Sequence, residues 1–196
     1  MISQTWWYLA RASGIVAWLM LTASVLWGIV LSTKAFPRHR RPAWLLDLHR
    51  WLGGLTLALV ALHIGSLVAD SYVQFDPVQV LVPFTATWRP FAVALGIVAM
   101  WLLLAVQLSS LAIKQLPRRV WHGVHLASYA TFVLTVGHAF LAGSDRTQPL
   151  FLASGALGVL AVAWATVYRI THPKPARRAA ASRSDVARPV PASPST

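Results

Sequence analysis

Five apolar runs, each about as long as the roughly 20 residues an α-helix needs to cross a bilayer, decide what this chain can become. They lie near residues 9–31, 44–68, 89–113, 120–142 and 150–170. Composition agrees with that reading. The chain is 57% hydrophobic and 11% charged, where a soluble domain carries about 25% charged residues. Glu is absent, Asp occurs five times, and there are ten Trp residues, a residue that favours membrane interfaces. The expected fold class is all-α: a polytopic membrane bundle of five transmembrane helices. Pro42 and Pro117 suit the first turns of the second and fourth spans. The first run is too long for a signal peptide and lacks a basic n-region.

The connections alternate in charge. Lys34, Arg38, Arg40 and Arg41, with Arg50 just beyond, precede and open the second span, and Lys114, Arg118 and Arg119 precede the fourth. Arg169, Lys174, Arg177, Arg178, Arg183 and Arg188 follow the fifth. These are fourteen of the seventeen basic residues; Arg11, Arg89 and Arg146 fall on the other side, with Asp70, Asp76 and Asp145. Basic loops stay in the cytoplasm, so the N-terminus is expected outside and the C-terminus inside, in a cell (plasma or inner) membrane. The net charge of +12 then reflects contact with anionic headgroups and gives no reason to invoke nucleic acid.

The longest outer connection, 70–88, is half apolar and is expected to form a cap or short interfacial helix. The division is a domain over 1–171 and a disordered basic tail over 172–196, rich in Pro, Ala, Ser and Arg. No convincing internal repeat stands out. Cysteine is absent, which excludes disulfides, iron–sulfur ligation and thiolate chemistry. No nucleotide-binding, zinc-protease or nucleophile-elbow pattern appears.

Histidine in hydrocarbon is costly and usually has a job. His49 and His63 occupy positions i and i+14 of the second span, and His125 and His138 positions i and i+13 of the fourth. The two spans run in the same direction, so His49 pairs by depth with His125 near the cytoplasm, and His63 with His138 near the outside. The steps correspond to rises of about 21 and 19.5 Å. Two imidazoles facing each other at one depth can ligate haem iron from both sides, so two stacked haems would form an electron path. Hydrogen bonding across helices, a proton relay or a bound copper or zinc ion are the competing uses. At about 100° per residue, His49 and His63 lie about 40° apart around their helix, but His125 and His138 lie about 140° apart. The fourth span must tilt, distort or reach with long rotamers, with Gly123 and Gly137 the places to accommodate this.

His122 lies three residues from His125 and shares its side of the helix; the expected role is an interfacial contact rather than ligation. His39 and His172 sit in wet, basic segments. Haem propionates want cations: Arg50, Arg118 and Arg119 are candidates for the inner haem, Arg89 and Arg11 for the outer one. Arg11 enters an apolar helix with no acid nearby in sequence, which favours a bound anion. Asp47 can pair with Arg50 on the helix surface. Trp6, Trp7, Tyr8, Trp44, Trp88, Trp121 and Tyr168 read as an aromatic belt.

The segment from Trp121 through His125 to Tyr129, followed by His138, resembles the ferric reductase-like transmembrane domain superfamily. That superfamily includes ferric reductases, NADPH oxidases and the haem-binding membrane subunit of methionine sulfoxide reductase. Its pattern has Trp four before the first His, Tyr four after it, and a second His thirteen beyond. Leu48-His49-Arg50 through His63 resembles the partner pattern, and Arg11 with Gly14 resembles the first-helix Arg and Gly. The resemblance covers about residues 6–146. It implies two haems b held by His49, His63, His125 and His138, and electron transfer across the membrane. It favours His125 over His122 as ligand. Flavin- and nicotinamide-binding domains seen in larger relatives are not in this sequence, and one helix fewer than in six-span relatives is read here. The expected electron donor is therefore a separate flavoprotein or a quinol, with a separate outer acceptor. Two other classes compete: a terminal reductase of ferric chelates or oxygen at the outer haem, and a haem-free transporter or structural membrane protein.

Overall fold

The computed structural model describes residues 2–33, 42–71 and 75–172, with side chains from Gln4 onward. Six helices follow in order: α1 (Ile2–Ser32), α2 (Ala43–Ala69), α3 (Pro77–Leu81), α4 (Pro90–Leu111), α5 (Arg118–Ala142) and α6 (Pro149–Thr171). Five of them, all but α3, are long and apolar enough to cross a membrane. The described residues contain no strand. The protein is an all-α, multi-pass membrane bundle. The basic loop residues 34–41 and the tail 173–196, on which the orientation and tail readings rest, lie outside the described residues.

Proline sets several starts, as its fixed φ and missing N–H suit a first helical turn. Pro77, Pro90 and Pro149 each open a helix, and Pro42 and Pro117 occupy the preceding cap positions. Asp76 caps α3 by accepting from the amides of Val78 at 2.7 Å and Gln79 at 3.0 Å. The expected short helix in the 70–88 connection is therefore α3. It caps one end of the bundle: Phe75, Val80 and Ala86 are buried with Val93 and Ile97 of α4, against Ile64 and Leu67 of α2. Trp101 donates to the Leu81 carbonyl at 2.9 Å and ties α3 to α4.

Two antiparallel hairpins form the body. α1 packs along α2, and α4 packs along α5; contacts between the hairpins are far sparser, and α2 and α5 hardly touch. α1 and α4 are the best-buried spans, while α2 and α5 are the least buried. α6 closes the other side of α1. Its small residues allow close approach: a Cβ on Gly158 would stand 3.2 Å from the Trp18 ring, and one on Gly155 would stand 2.7 Å from Phe140. A buried cluster of Leu21, Val25 and Ile29 (α1), Leu103 (α4), Phe132 (α5), Val162 and Ala165 (α6) holds the centre. Hydroxyls inside the spans satisfy themselves on the preceding turn: Thr56 on Leu52, Ser66 on Leu62 and Thr131 on Ala127. In a medium without water this is the least costly way to bury them.

Candidate functional site, two facing histidine pairs

The histidines meet as their depths require. The rings of His49 and His125 have centroids 5.9 Å apart at an interplanar angle of 72°, and those of His63 and His138 are 6.4 Å apart at 83°. The gap between α2 and α5 is thus bridged by imidazoles at two levels. α5 is an unbroken α-helix from Arg118 to Ala142, so its two histidines reach their partners without a break in the backbone. Gly123 opens onto free space, whereas Gly137 lets Leu95 of α4 approach to 3.2 Å of where a Cβ would stand. Of the two glycines read as points of accommodation, only Gly137 faces another helix closely.

Each histidine leans on the other helix of its own hairpin. A Cβ on Gly14 would lie 2.9 Å from His63 Nδ1, one on Gly28 would lie 3.1 Å from His49 Cε1, and one on Gly96 would lie 2.7 Å from His138 Nδ1. His63 Nδ1 donates to the Ala10 carbonyl at 2.7 Å, and His138 Nδ1 donates to the Ala92 carbonyl at 2.8 Å. Each carbonyl lies one helical turn before the glycine. The geometry explains the residue. A helical side chain covers the turn on its N-terminal side, so a glycine four residues on leaves the carbonyl open to the neighbouring helix, even at Ala10, which also accepts from Ser13 Oγ at 3.1 Å. The carbonyl's second lone pair then accepts from a neighbouring helix. Because a carbonyl only accepts, Nδ1 carries the proton and Nε2 keeps its lone pair for a metal. Carbonyl-anchored imidazoles of this kind are usual around metal centres.

The spacing repeats along the helices. Gly14 and Gly28 on α1 are separated by the same i, i+14 step as His49 and His63, and so are Gly96 and Ser110 on α4. Halfway between the levels stand Leu21, Thr56 and Leu103, with Thr131 beside them on α5. These four form one wall of a cavity of about 640 Å³, whose lining also includes Arg11, Gly14, His63, Gly96 and His138. The hairpins therefore echo each other in a pattern that span limits alone do not reveal. A small residue recurring at the histidine spacing, glycine twice on α1 and glycine then serine on α4, is the sequence signal that carries it.

The level of His49 and His125, termed inner after the orientation expected from loop charge, differs from that of His63 and His138, termed outer. His125 is stacked on Trp121, centroids 5.0 Å apart, and its Nδ1 is 3.4 Å from Ser110 Oγ. His49 Nδ1 is buried without a hydrogen-bond partner. Four buried side-chain polar atoms among the described residues lack a hydrogen-bond partner: Trp18 Nε1, Asp70 Oδ1, His49 Nδ1 and Trp121 Nε1. Trp18 and Asp70 line the outer cavity, and the other two belong to the inner level. Buried orphans are expensive, and here they collect at the two histidine sites. Among the described residues no group of three or more His, Cys, Asp or Glu gathers as for a metal ion; the histidines come in twos.

The arginines require one correction. Arg11 does have an acid: Asp145, 134 residues away in sequence, pairs with its guanidinium through both carboxylate oxygens. The partner comes from the α5–α6 connection, which local sequence does not show, so Arg11 is not an unpaired cation awaiting a bound anion. Arg11 also stands over Trp7, 5.0 Å from its centroid. Arg89, with φ 44° in the left-handed region, donates to the Leu141 carbonyl and lies against Trp88; it lines the outer cavity with Arg146. Arg50 makes the expected surface pair with Asp47, at 3.3 Å. Arg118 and Arg119 are exposed. Among the described residues, the half-buried arginine on the inner side is Arg169 of α6, which donates to the Tyr129 hydroxyl at 3.2 Å. Sequence offers no signal for that contact. His122 is exposed, and His172 is exposed and stacked on Tyr168; His39 lies outside the described residues.

Two levels of facing imidazoles between membrane-spanning hairpins define the class: a multi-pass membrane protein with stacked bis-histidine sites. The family model for the ferric reductase like transmembrane component matches residues 13–136. The chain belongs to that family. The match includes His49, His63 and His125 and ends two residues before His138. No curated protein and no solved structure matches.

Proposed function

We propose that the protein carries electrons across the membrane through two haems b, one at each histidine level. The observation that carries this reading is the pair of ring separations, 5.9 and 6.4 Å. Metal–imidazole bonds of about 2 Å on either side, plus the distance from nitrogen to ring centre, give coaxial imidazoles roughly 6 Å apart. The donor set fits as well: neutral nitrogens, no thiolate, and a gap between α2 and α5 for a flat macrocycle. Haem iron so held supplies one-electron ferric–ferrous chemistry, whose potential the protein sets through ligation and burial.

The chain's own residues do the rest. His63 and His138 hold the outer level, and His49 and His125 the inner. Leu21, Leu103, Thr56 and Thr131 separate the levels with a layer in which both threonine hydroxyls are internally bonded, excluding water from the path. Arg89 and Arg146, exposed but lining the outer cavity, and the half-buried Arg169 with Tyr129 at the inner level meet anionic propionates better than Arg118 and Arg119, which do not line that cavity. Arg11 shapes the outer wall while held by Asp145. Charge in the connections supports an outside N-terminus and a cytoplasmic C-terminus; the path proposed runs outward, from a cytoplasmic flavoprotein or a membrane quinol to an outer acceptor.

A reduced-minus-oxidised spectrum with pyridine haemochrome quantitation tests the reading. The expected result is about two haems b per chain, one for each bis-imidazole site; purified, folded protein without haem absorption would refute it. Because the chain has no cysteine, single-cysteine labelling in intact cells checks orientation. Ser144→Cys is expected to react from outside, and Gln115→Cys only after lysis.

A further inference from the structure

Three of the four histidines rest on a glycine; the fourth, His125, meets Ser110. Ser110 occupies on α4 the place that Gly28 occupies on α1, one histidine spacing from the glycine of the outer level. Its hydroxyl donates to the Val106 carbonyl at 2.7 Å, and Val106 precedes Ser110 by one turn, as Ala10 precedes Gly14 and Ala92 precedes Gly96. The single hydroxyl proton is thereby used. Toward His125, Oγ can only accept, and the 3.4 Å contact is Nδ1–H to Oγ. We infer that Ser110 is a positioning residue that interposes its hydroxyl between His125 and the Val106 carbonyl, weakening the anchor of one inner ligand and raising the inner haem's potential above what a glycine there would give. This rests on the haem reading above.

The sign follows from the anchor. A strong hydrogen bond from Nδ1–H makes an imidazole a better donor to the metal, which favours the ferric state and lowers the potential. At the outer level both anchors are direct, at 2.7 and 2.8 Å. At His125 the anchor is long and passes through a hydroxyl. Ser110→Gly takes the nearer hydroxyl off the Val106 carbonyl, which keeps Ser109 Oγ at 3.0 Å, and lets the ring settle on it, as His63 settles on the Ala10 carbonyl beside Ser13 Oγ at 3.1 Å. Ser110→Ala keeps the Cβ that shields the carbonyl but removes the acceptor, leaving Nδ1 unpaired. The two smallest substitutions therefore push in opposite directions, which a general loosening of packing cannot do.

The experiment is a redox titration in a His63→Ala background, read at the bis-histidine inner haem. Ser110→Gly is expected to move the ferric–ferrous equilibrium toward ferric by up to about tenfold, equivalent to about 59 mV downward for one electron. Ser110→Ala is expected to move it toward ferrous, and Ser110→Thr, which keeps the hydroxyl, to stay within about twofold of the parent, under roughly 20 mV on the same scale. Shifts of the same sign in the Gly and Ala variants, or none in either, would overturn the inference while leaving the haem reading intact. Absence of haem from the unaltered chain would overturn the haem reading and this inference with it.

Discussion

The outer and inner histidine pairs are built from the same parts but are held differently. At the outer level two glycines, Gly14 and Gly96, admit the rings, and two carbonyls fix both Nδ1 protons. A cavity of about 640 Å³ surrounds that pair, roofed by Phe75 and Val80 of the α3 region. At the inner level one Nδ1 lacks a good partner and the other reaches a hydroxyl at 3.4 Å. Trp121 stacking replaces part of that grip on His125. Rigid anchoring and enclosure favour a fixed, dry site; looser anchoring favours a site tuned by its surroundings. The outer pair should therefore depend on individual packing atoms, and the inner pair on rotamer and stacking.

Under the proposed haem reading, removing His63 gives the largest effect. His63→Ala is expected to lower haem content from about two to about one per chain, since one axial imidazole is lost at one level only. Spectra should retain the inner centre, and the remaining outer position should bind carbon monoxide if any haem stays there. Loss of both centres in a folded variant would mean that the levels are not independent. Next comes Gly96→Ala. Its methyl would stand 2.7 Å from His138 Nδ1 and 2.8 Å from Cε1, too close without displacing the ring. Overpacking of this kind costs about 1–3 kcal/mol, and outer haem retention should fall while the inner is unaffected. Gly123→Ala, which meets open space, is the matched control. Equal haem loss in both would break the claim that glycine seats the outer ring.

Much of this is legible in the residues alone. Span limits follow from apolar length, because backbone in a bilayer must be helical where it is exposed to lipid. Pairing by depth follows from parallel helices and similar rises, and the facing rings agree with it. The azimuths are harder. The wide angular offset between His125 and His138 reads as an obstacle because only the helix axis enters such a calculation. His138 leans on Gly96 and Ala92, and His125 on Ser110 and Trp121, so each side chain finds its own direction against its surroundings. Gly28, Gly96 and Ser110 give no signal by themselves, because a small residue in an apolar run carries no chemistry of its own. Its meaning appears only when the carbonyl one turn earlier has a donor opposite it. Arg11–Asp145 and Arg169–Tyr129 join elements far apart in sequence, and no local pattern announces them.

The ion pair sharpens the comparison further. Asp145→Asn removes the charge that holds Arg11, tying α1 to the α5–α6 connection beside the outer cavity. The Arg11 side chain is 35% exposed, so solvent screens the pair, and about 1 kcal/mol is the expected destabilisation. Thermal unfolding in detergent should register a small drop, and outer haem should be lost on heating before inner haem. If inner haem leaves first, the pair supports the bundle as a whole rather than the outer site.

The smallest effect is expected at His122, and it bears on ligand choice at the inner level. His122 sits one turn before His125 and would be the alternative ligand if only sequence spacing counted. Its side chain is exposed, while the His125 ring lies 5.9 Å from His49. Trp121 separates their roles by stacking on His125 at 22° and only leaning against His122 at 46°. His122→Ala should therefore leave haem content and both absorption bands unchanged, and His125→Ala should remove the inner band. His122 and His125 lie about 60° apart around α5, so a helix turned by that much and shifted by about 4.5 Å would exchange these outcomes. Measuring the two variants side by side thus reads the rotation of α5 directly, and loss of the inner band in His122→Ala would mean that the inner pair is His49 with His122.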